Sequence, residues 1–362
     1  MQALTRNNRM SRRTRGFTLV ELLVSVAISF MLLMGVVALF VSSRASYETT
    51  ERLSRIQENG RFALDQIVND IRSSGFQGCA RSSVSPSRAG DFRITTLRAP
   101  TDMRWNFAVP AQGFNGTGSA WTPTLDITNF NPAPSGTGDV LVLRIPRRDA
   151  RAVQLTTKQT DPADPLTVGV INPAPLAAGD TAMVNDCTAR AFFQVTGYAG
   201  GQVLHADIAA GATTPGNNGG SLLHPFMAGA EVLPVSTMIY YLARSENDNT
   251  RMSLWRKSGG TALSDELAEG IERFEVQYGV DTSGDGRIDD YVTAAAVTNW
   301  DRVMTVQIAV LARSPDAYGT DLDTQAYTLF STPVLLQTVP ANDRFQRKVF
   351  TATVAVRNQI ID

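Results

Sequence analysis

The sequence predicts an α+β fold, in which a long N-terminal helix with a transmembrane first half packs on a mostly antiparallel β-rich head. Three features of the 362 residues predict it. An apolar run lies close to the N-terminus, and an amphipathic pattern of helical period follows it. The remainder alternates apolar and polar residues in short segments, with few helical runs between them. Strands joined without crossover helices pair in antiparallel fashion.

The apolar run extends from Phe17 to Val41 and contains one charged residue, Glu21. It is about 25 residues long, where roughly 20 suffice to cross the hydrocarbon of a bilayer. Five arginines and no acidic residue precede it. The positive-inside rule therefore predicts a cytoplasmic N-terminus, with everything after about Ser42 on the other side of the membrane.

Simpler membrane signals explain this segment poorly. A secretory signal cleaved near Ser43-Arg44-Ala45 would be too long and would rarely carry a glutamate. A plain single-pass anchor leaves Glu21 as a carboxylate in hydrocarbon, at a cost of about 3 kcal/mol. An acid in that position indicates a function that involves a cationic partner.

A helical pattern continues beyond the membrane run. Charged residues separate apolar or small residues at spacings of three and four, and the helix is predicted to stop at Gly75. One helix from Phe17 to about Ser74 would be about 85 Å long at 1.5 Å per residue. The alternative is a separate surface helix after a break near Ser42. The predicted buried stripe is Leu53, Ile56, Gly60, Ala63, Leu64, Ile67 and Ile71.

Strands are predicted mainly in the C-terminal two thirds. Residues from about 82 to 138 read as loops with short strands, and five aromatic residues give this segment a core to join. The aromatics are Trp105, Phe107, Phe114, Trp121 and Phe130. The strand candidates are Val140 to Ile145, Ala191 to Tyr198, Val232 to Ala243, Met252 to Arg256, Ile271 to Val280, Val303 to Ala312 and Val349 to Val356.

The junction RGFTLVE, Arg15 to Glu21, resembles the type IV prepilin signature. The resemblance implies cleavage between Gly16 and Phe17 by a dedicated membrane prepilin peptidase, followed by methylation of the Phe17 amine. It also implies that Glu21 is the fifth residue of the mature chain. There it would pair with the N-terminal amine of its own or a neighbouring subunit inside a filament of packed helices.

The chain is also similar to the PilW family of minor type IV pilins, from about Arg15 to Asn358 and most weakly from Ser82 to Gly220. The segments that carry this similarity are IQENGRFALDQIVNDIRSSGFQGC, STMIYYLARS, ELAEGIERFEVQYGVDTSGDGRIDDYV and KVFTATVAVRNQ. The resemblance implies a type IV pilin-like fold and a minor pilin that primes pilus assembly at or near the tip. The implied partners are other minor pilins, the major pilin, the inner-membrane assembly platform and a tip adhesin.

The expected organisation follows from these features. It comprises a leader peptide (1–16), a transmembrane or filament-core helix (17–41), the amphipathic second half of that helix (42–75) and a periplasmic or extracellular head (76–362). The implied location is the inner membrane, then the pilus surface. A minor pseudopilin of a type II secretion or DNA-uptake system shares the signature. A membrane-anchored binding module would keep residues 1–16 and stay out of filaments.

The two cysteines, Cys79 and Cys187, are expected to form a disulfide, because the rest of the chain leaves the cytoplasm. The bond would close a loop of roughly one hundred residues, which the chain-entropy model values at about 4 to 5 kcal/mol. Two unpaired buried thiols are the alternative.

A possible calcium loop lies between two strand candidates. Its ligands in an EF-hand-like count would be Asp281, Ser283, Asp285, Arg287 through its carbonyl, and Asp289. Position 12, which should carry a bidentate carboxylate, is Val292. The sequence therefore favours a solvated acidic hairpin turn over a calcium site.

Catalysis and nucleic-acid binding are not expected. The only histidines are His205 and His224, without neighbouring ligands at zinc spacing, and no GxSxG motif occurs. Glu266, Glu269 and Glu272 indicate a solvated helix face or strand edge. Without the N-terminal arginines, 28 basic residues remain against 34 acidic ones. Such a balance lacks the basic surface that nucleic acid requires.

Overall fold

The computed structural model of the chain describes residues 16, 18–76, 78, 92–149, 151–317, 322–330 and 343–356. The chain divides into two compact units, Met1–Arg52 and Leu53–Asp362. The second unit contains every strand found among the described residues.

One α-helix, α1 (Leu19–Ser73), runs without the break considered near Ser42. Among the described residues it is the one helix long and apolar enough to cross a membrane. The Ser74 N–H donates to the Ile71 carbonyl at 3.1 Å, which closes the last turn. Gly75 then adopts a φ of 68°, the left-handed conformation that ends many helices. The predicted stop at Gly75 is confirmed.

The head is built from short and medium strands. Within the described residues, two 3₁₀-helices, Ala294–Ala296 and Trp300–Arg302, lie between the strand that ends at Val292 and the strand that begins at Val303. The strands are β1 (Phe92–Thr95), β2 (Ala111–Gly116), β3 (Trp121–Thr122), β4 (Val140–Pro146), β5 (Val153–Gln154), β6 (Leu166–Thr167), β7 (Thr181–Asn185), β8 (Ala189–Gln194), β9 (Gly197–Ala199), β10 (Gln202–Leu204), β11 (Glu231–Arg244), β12 (Met252–Ser258), β13 (Ser264–Glu269), β14 (Ile271–Val280), β15 (Asp290–Val292), β16 (Val303–Arg313) and β17 (Arg347–Ala355).

The described strands form three sheets. The largest has the order β1-β8-β7-β11-β4-β2-β3, with β5 and β12 also paired to β11 and β13 paired to β12. The others have the orders β6-β10-β9 and β15-β14-β16-β17. β1 and β8 run parallel, whereas the other strand pairs are antiparallel. The prediction of mostly antiparallel sheets is confirmed.

Each strand candidate overlaps an observed strand, but one candidate divides in two, and β5, β6, β7, β10, β13 and β15 were not predicted. The candidate Ala191 to Tyr198 divides into β8 and β9. β13 was not predicted as a strand, although a strand edge was one interpretation of its acidic residues. Glu266 and Glu269 lie on β13 and Glu272 lies on β14, so the helix-face interpretation is wrong.

The second half of α1 belongs to the core of the head. Its residues Ile56, Ala63, Leu64, Ile67 and Ile71 are buried in one cluster. The cluster also contains apolar residues of both larger sheets, among them Leu141, Leu143, Tyr240, Leu242, Phe274, Val276, Val306 and Ile308. The predicted stripe is thus confirmed from Ile56 onward, whereas Leu53 is 41% exposed. Burial of this apolar face fixes the helix on the sheets.

At Gly60, α1 lies close against Phe350 of β17. A Cβ atom at this position would lie 2.3 Å from the Phe350 ring. We expect Gly60→Ala to destabilise the protein by about 1 to 3 kcal/mol, because overpacking outweighs the better helix propensity of alanine. Thermal unfolding of the purified chain in detergent measures the loss. The matched control is Gly35→Ala on the same helix, where a Cβ meets nothing within 4 Å; equal stability of the two variants would contradict the contact.

Candidate assembly site on the N-terminal helix

The N-terminal end of α1 carries the residues of the predicted processing site. Gly16 is exposed, and an added Cβ there meets nothing within 4 Å. Phe17 lies outside the described residues. The main-chain N–H of Glu21 donates to the Thr18 hydroxyl at 3.3 Å, in the first turn of the helix. Gly16 and Glu21 are therefore both accessible on the chain.

Glu21 lies within an apolar surface that this chain leaves uncovered. The large side chains from Leu19 to Val41 are exposed on every side of the helix; Leu19 and Met31, for example, are 76% and 75% exposed. A surface of this size and uniformity requires lipid or other apolar helices around it. The carboxylate of Glu21 lies in the same apolar surroundings. A charge without a partner is energetically costly there, whereas a charge paired with an opposite charge is tolerated.

A buried polar cluster joins the end of α1 to the head. Asp70 is 2% exposed, and its carboxylate accepts hydrogen bonds from the Tyr240 hydroxyl on β11 and the Arg148 guanidinium. Burial raises the pKa of Asp70, although both donors favour its charged form. Burial and the adjacent carboxylate also raise the pKa of Tyr240. Asp70 therefore adds a directional contact to the apolar packing of this part of the helix.

Asp70 is one of the charged residues that separate the apolar positions of the helix, and no function was predicted for it. Its spacing of three from Ile67 places it at the edge of the apolar stripe, which is the one signal the sequence offers. The partner Tyr240 lies 170 positions away along the chain. No spacing rule connects two residues that far apart.

A further hydrogen bond attaches α1 to the head at a position closer to Leu53. The Asn59 side-chain amide donates to the Glu269 carbonyl at 3.1 Å. It fixes the helix on the end of β13.

Two carboxyl groups are buried where β4 meets β14. The Asp139 carboxylate accepts hydrogen bonds from the Asn115 amide (2.9 Å) and the N–H groups of Gly116 and Val276 (2.8 Å each). Burial raises its pKa to about 6, against the effect of these donors. Glu275 is 3% exposed. Burial, and then the nearby Asp139, raise the pKa of Glu275 to about 8.

Cys187 is half of a disulfide bond and lies in the turn between β7 and β8, with a positive φ of 69°. Its expected partner, Cys79, lies outside the described residues. The Cys79–Cys187 pairing therefore stays a prediction.

The proposed calcium loop joins β14 to β15. The Asp281 carboxylate accepts the N–H groups of Gly284 (2.5 Å) and Gly286 (3.0 Å). Asp289 accepts those of Thr282 (2.7 Å) and Ser283 (2.8 Å). The Asp285 side chain accepts the Arg287 N–H at 2.9 Å. The carboxylates thus bind the loop's own main chain, and within the described residues no three acidic, cysteine or histidine side chains form a metal cluster.

These hydrogen bonds lower the pKa of two aspartates in the loop, which favours their charged form. The Thr282 hydroxyl and the Ser283 N–H lower the pKa of Asp289. Burial acts to raise the pKa of Asp281, but the N–H groups of Gly286 and Gly284 outweigh it and the pKa is lowered. The arrangement is a negatively charged hairpin turn, and calcium binding at this loop stays the less favoured alternative that the sequence offers.

The two histidines lie apart from the helix. Both ring nitrogens of His205 lie 2.9 Å from main-chain carbonyl oxygens, those of Gly220 and Asp164. Burial lowers the pKa of His205. Nε2 of His224 lies 3.4 Å from the Asp186 carboxylate. Each histidine thus has a local structural contact.

Comparisons with known proteins bear on both ends of the chain. The family model for type IV pilus-assembly protein W, PilW, matches residues 239–358. The model for the prokaryotic N-terminal methylation motif matches residues 11–37. A search of the curated proteins finds no match. Among solved structures, the chain is similar to a type IV-like pilin from Thermus thermophilus with a TM-score of 0.34 and 11% identity, over 85% of this chain and 99% of that one.

Proposed function

Since the chain belongs to the PilW family of type IV pilus-assembly proteins, we propose that it is a minor pilin that primes pilus assembly and is incorporated at or near the tip. There it scaffolds other minor pilins and a tip adhesin. The observation that carries this proposal is the exposed apolar first half of the helix with a single carboxylate, Glu21, inside the stretch that the methylation-motif model matches, residues 11–37. No step of the function requires chemistry by this chain.

The first step in this proposal is processing. A prepilin peptidase cleaves between Gly16 and Phe17, and the Phe17 amine is methylated. Before cleavage, the apolar helix anchors the chain in the inner membrane with the arginines on the cytoplasmic side and the head in the periplasm.

The second step is insertion among other pilins. Exposed apolar side chains from Leu19 to Val41 exchange lipid for neighbouring helices, and the Glu21 carboxylate pairs with an N-terminal amine. Burying the two charges together makes each tolerable and selects one axial register, since other registers leave both unpaired. The assembly platform and the major pilin are the partners of this step.

Mass spectrometry of the wild-type chain tests the proposal. The protein is recovered from membranes and from sheared surface filaments, and its intact mass and N-terminal peptide are measured. We expect a chain that starts at methylated Phe17 and is present at low abundance in filaments. A chain that keeps residues 1–16 and stays in membranes would support an anchored binding module instead. A processed chain absent from pili but required for type II secretion or DNA uptake would support a pseudopilin.

A further inference from the structure

The last strand of the head, β17, lies at the edge of a sheet. Among the described residues it pairs with β16 on one side and with no strand on the other. It is nine residues long, whereas the other edge strands of the described sheets have two to six residues. The side of β17 that faces away from β16 is called the outer edge below.

The two ends of the β16–β17 ladder show which main-chain groups point to the outer edge. The Ser314 N–H donates to the Gln346 carbonyl at 2.8 Å. At the other end, the Val356 N–H donates to the Met304 carbonyl at 2.8 Å. The register between these ends is continuous, and alternate residues of an antiparallel strand bond to the same neighbour. Even-numbered residues of β17 therefore bond to β16, and odd-numbered ones present their N–H and C=O groups to the outer edge. Those in the uncharged part of the strand are Val349, Thr351, Thr353 and Ala355.

The outer edge lacks the features that usually protect a sheet edge. From Val349 to Ala355 the sequence is VFTATVA, without charge, proline or glycine. Charged residues, proline or bulges protect many natural edge strands from pairing with another chain. β13, by contrast, carries three acidic residues, and the carbonyl of its last residue accepts the Asn59 amide. The outer edge of β17 is therefore suited to pair with an added strand.

The apolar face of β17 is incompletely covered. Val354 is buried in the same cluster as the apolar residues of α1, whereas Phe350 and Ala352 are only partly buried against that cluster. On the opposite face, Thr351 and Thr353 are exposed. A strand paired to the outer edge would place one set of side chains beside Phe350 and Ala352 and the other set beside the threonines. Apolar residues suit the first set, and hydroxyl-bearing residues suit the second.

The charges at the start of β17 indicate where a partner strand should carry an acid. The Arg347 guanidinium is 2% exposed and pairs with three carboxylates at 2.6 to 3.0 Å, so its charge is compensated within the head. Lys348 is exposed, and its ammonium lies 5.5 Å from the centroid of the Phe350 ring. An acidic residue directly opposite Lys348 would complement its charge.

A second copy of this chain fits the outer edge poorly. Antiparallel pairing of two β17 strands requires a two-fold axis perpendicular to the sheet. Because α1 packs on the sheet, the α1 helices of two such copies would run in opposite directions. The positive-inside rule gives every copy the same orientation in the membrane. The better partner is an extended segment that does not belong to a second copy.

We propose that the outer edge of β17 binds an extended segment of a different polypeptide as an added antiparallel strand. This segment alternates apolar with hydroxyl-bearing side chains and carries an acidic residue opposite Lys348. Its main chain pairs with the outward-facing groups of β17, and its apolar side chains complete the cover over Phe350 and Ala352. The proposal does not depend on processing or on filament entry.

A synthetic peptide of this pattern tests the proposal. The probe is acetyl-TVTVTVTE-amide, which in antiparallel pairing extends from Ala355 to Lys348. Its second and third valines are N-methylated on the edge that faces away from β17, which keeps the peptide from forming larger sheets by itself. The matched control carries the two methyl groups on its second and third threonines, whose N–H groups would face β17. Each peptide is titrated into the purified full chain in detergent, and calorimetry measures its affinity.

We expect the control peptide to bind roughly tenfold or more weakly than the probe, because it cannot form two of the main-chain hydrogen bonds. Thr351→Pro should weaken binding of the probe about fivefold, since it removes one outward N–H. Proline is tolerated in an edge strand where its nitrogen faces solvent. Thr351→Val retains the N–H and should bind as the wild type does. Thermal unfolding verifies that both variants are folded.

A charge exchange tests the register. Lys348→Glu should weaken binding of the probe by roughly two- to fivefold, the effect of replacing an attractive cross-strand pair by a repulsive one. A peptide that ends in lysine instead of glutamate should then bind Lys348→Glu better than it binds the wild type. Equal binding of the two peptides to both chains would show that the acidic residue does not lie opposite Lys348.

Three further results would overturn the proposal. Equal affinities of the probe and the control peptide would show that main-chain pairing contributes nothing. Unchanged binding to folded Thr351→Pro would place the peptide elsewhere on the head. Failure of the probe to bind the wild type up to about 1 mM would show that the outer edge is covered, by a second copy if the chain sediments as a dimer and otherwise by this chain itself.

Discussion

Replacing Glu21 with glutamine should leave cleavage of the chain intact and reduce its incorporation into filaments by roughly tenfold or more. A charge in apolar surroundings costs a few kcal/mol when unpaired, and pairing removes that cost. Loss of the pair therefore removes at least 1.4 kcal/mol, or about a factor of ten, from each correctly registered insertion. Glutamine keeps the size of the side chain, so the change isolates its charge.

A reduced filament fraction for Glu21→Gln would distinguish an effect on assembly from an effect on membrane insertion. A neutral glutamine enters hydrocarbon more easily than a glutamate, so insertion alone would favour the variant. Quantitative mass spectrometry of filament and membrane fractions measures both quantities. Glu48→Ala is the matched control, since Glu48 lies on the same helix beyond the apolar run, where it pairs with Arg44 at 3.1 Å. An unchanged filament fraction for Glu21→Gln would refute the pairing role.

A second variant tests the cleavage site itself. Gly16→Leu places a bulky side chain at the bond that the peptidase is proposed to cut, and the variant should retain residues 1–16. It should also be missing from filaments, because its N-terminal amine cannot reach the apolar junction. A mature-size product from this variant would contradict the site assignment and leave the Glu21 result to stand by itself.

The sequence predicts the parts of this fold that depend on local pattern. The stripe from Ile56 to Ile71 carries a helical periodicity, which burial of one face enforces. The long strands β11, β14 and β16 are recognised by their many apolar residues, because most of their positions are buried on both faces. β13, with the sequence SDELAE, was missed as a strand because three of its six residues are acidic. Its place in the sheet comes from pairing with β12, a tertiary effect that outweighs its weak strand propensity.

The residues of the candidate site also fall into two groups, those that the sequence predicts and those that only the structure brings together. Gly16, Phe17 and Glu21 are adjacent in sequence, so a junction motif suffices to find them. Asp70 with Tyr240, and Asp139 with Glu275, are brought together from distant strands and helix positions. The sequence shows which residues can carry a charge. Whether they are buried, and whether their polar atoms have hydrogen-bond partners, depends on the packing of the whole fold.

The Asp139 and Glu275 pair should make the head less stable as the pH rises from about 4 to 8. Below its ordinary pKa of 4.5, Glu275 is protonated in both the folded and the unfolded chain. Between 4.5 and about 8 the unfolded chain releases this proton while the folded chain retains it, so the free energy of unfolding falls. Asp139 adds a smaller fall between its ordinary value of 3.8 and about 6.

The groups that surround Glu275 support a fall in the free energy of unfolding as the pH rises. Burial and the Asp139 charge both disfavour its ionised form, and only Arg273 opposes them. Tyr278 on the same strand is buried, and its raised pKa keeps its hydroxyl neutral throughout this range. At about 1.4 kcal/mol for each pKa unit, the rise of the Glu275 pKa from 4.5 to about 8 corresponds to a cost on the order of 5 kcal/mol above pH 8.

Glu275→Gln should remove most of this cost, because an amide of similar shape replaces a carboxyl group that the fold keeps protonated. We expect the variant and the wild type to unfold at similar temperatures near pH 4.5, and the variant to become progressively more stable than the wild type up to pH 8. Thermal unfolding of both chains across this range measures the difference. Glu246→Gln, at an exposed loop position, should give a curve parallel to that of the wild type. A constant difference between Glu275→Gln and the wild type at every pH would show that Glu275 ionises in the folded head at its ordinary pKa.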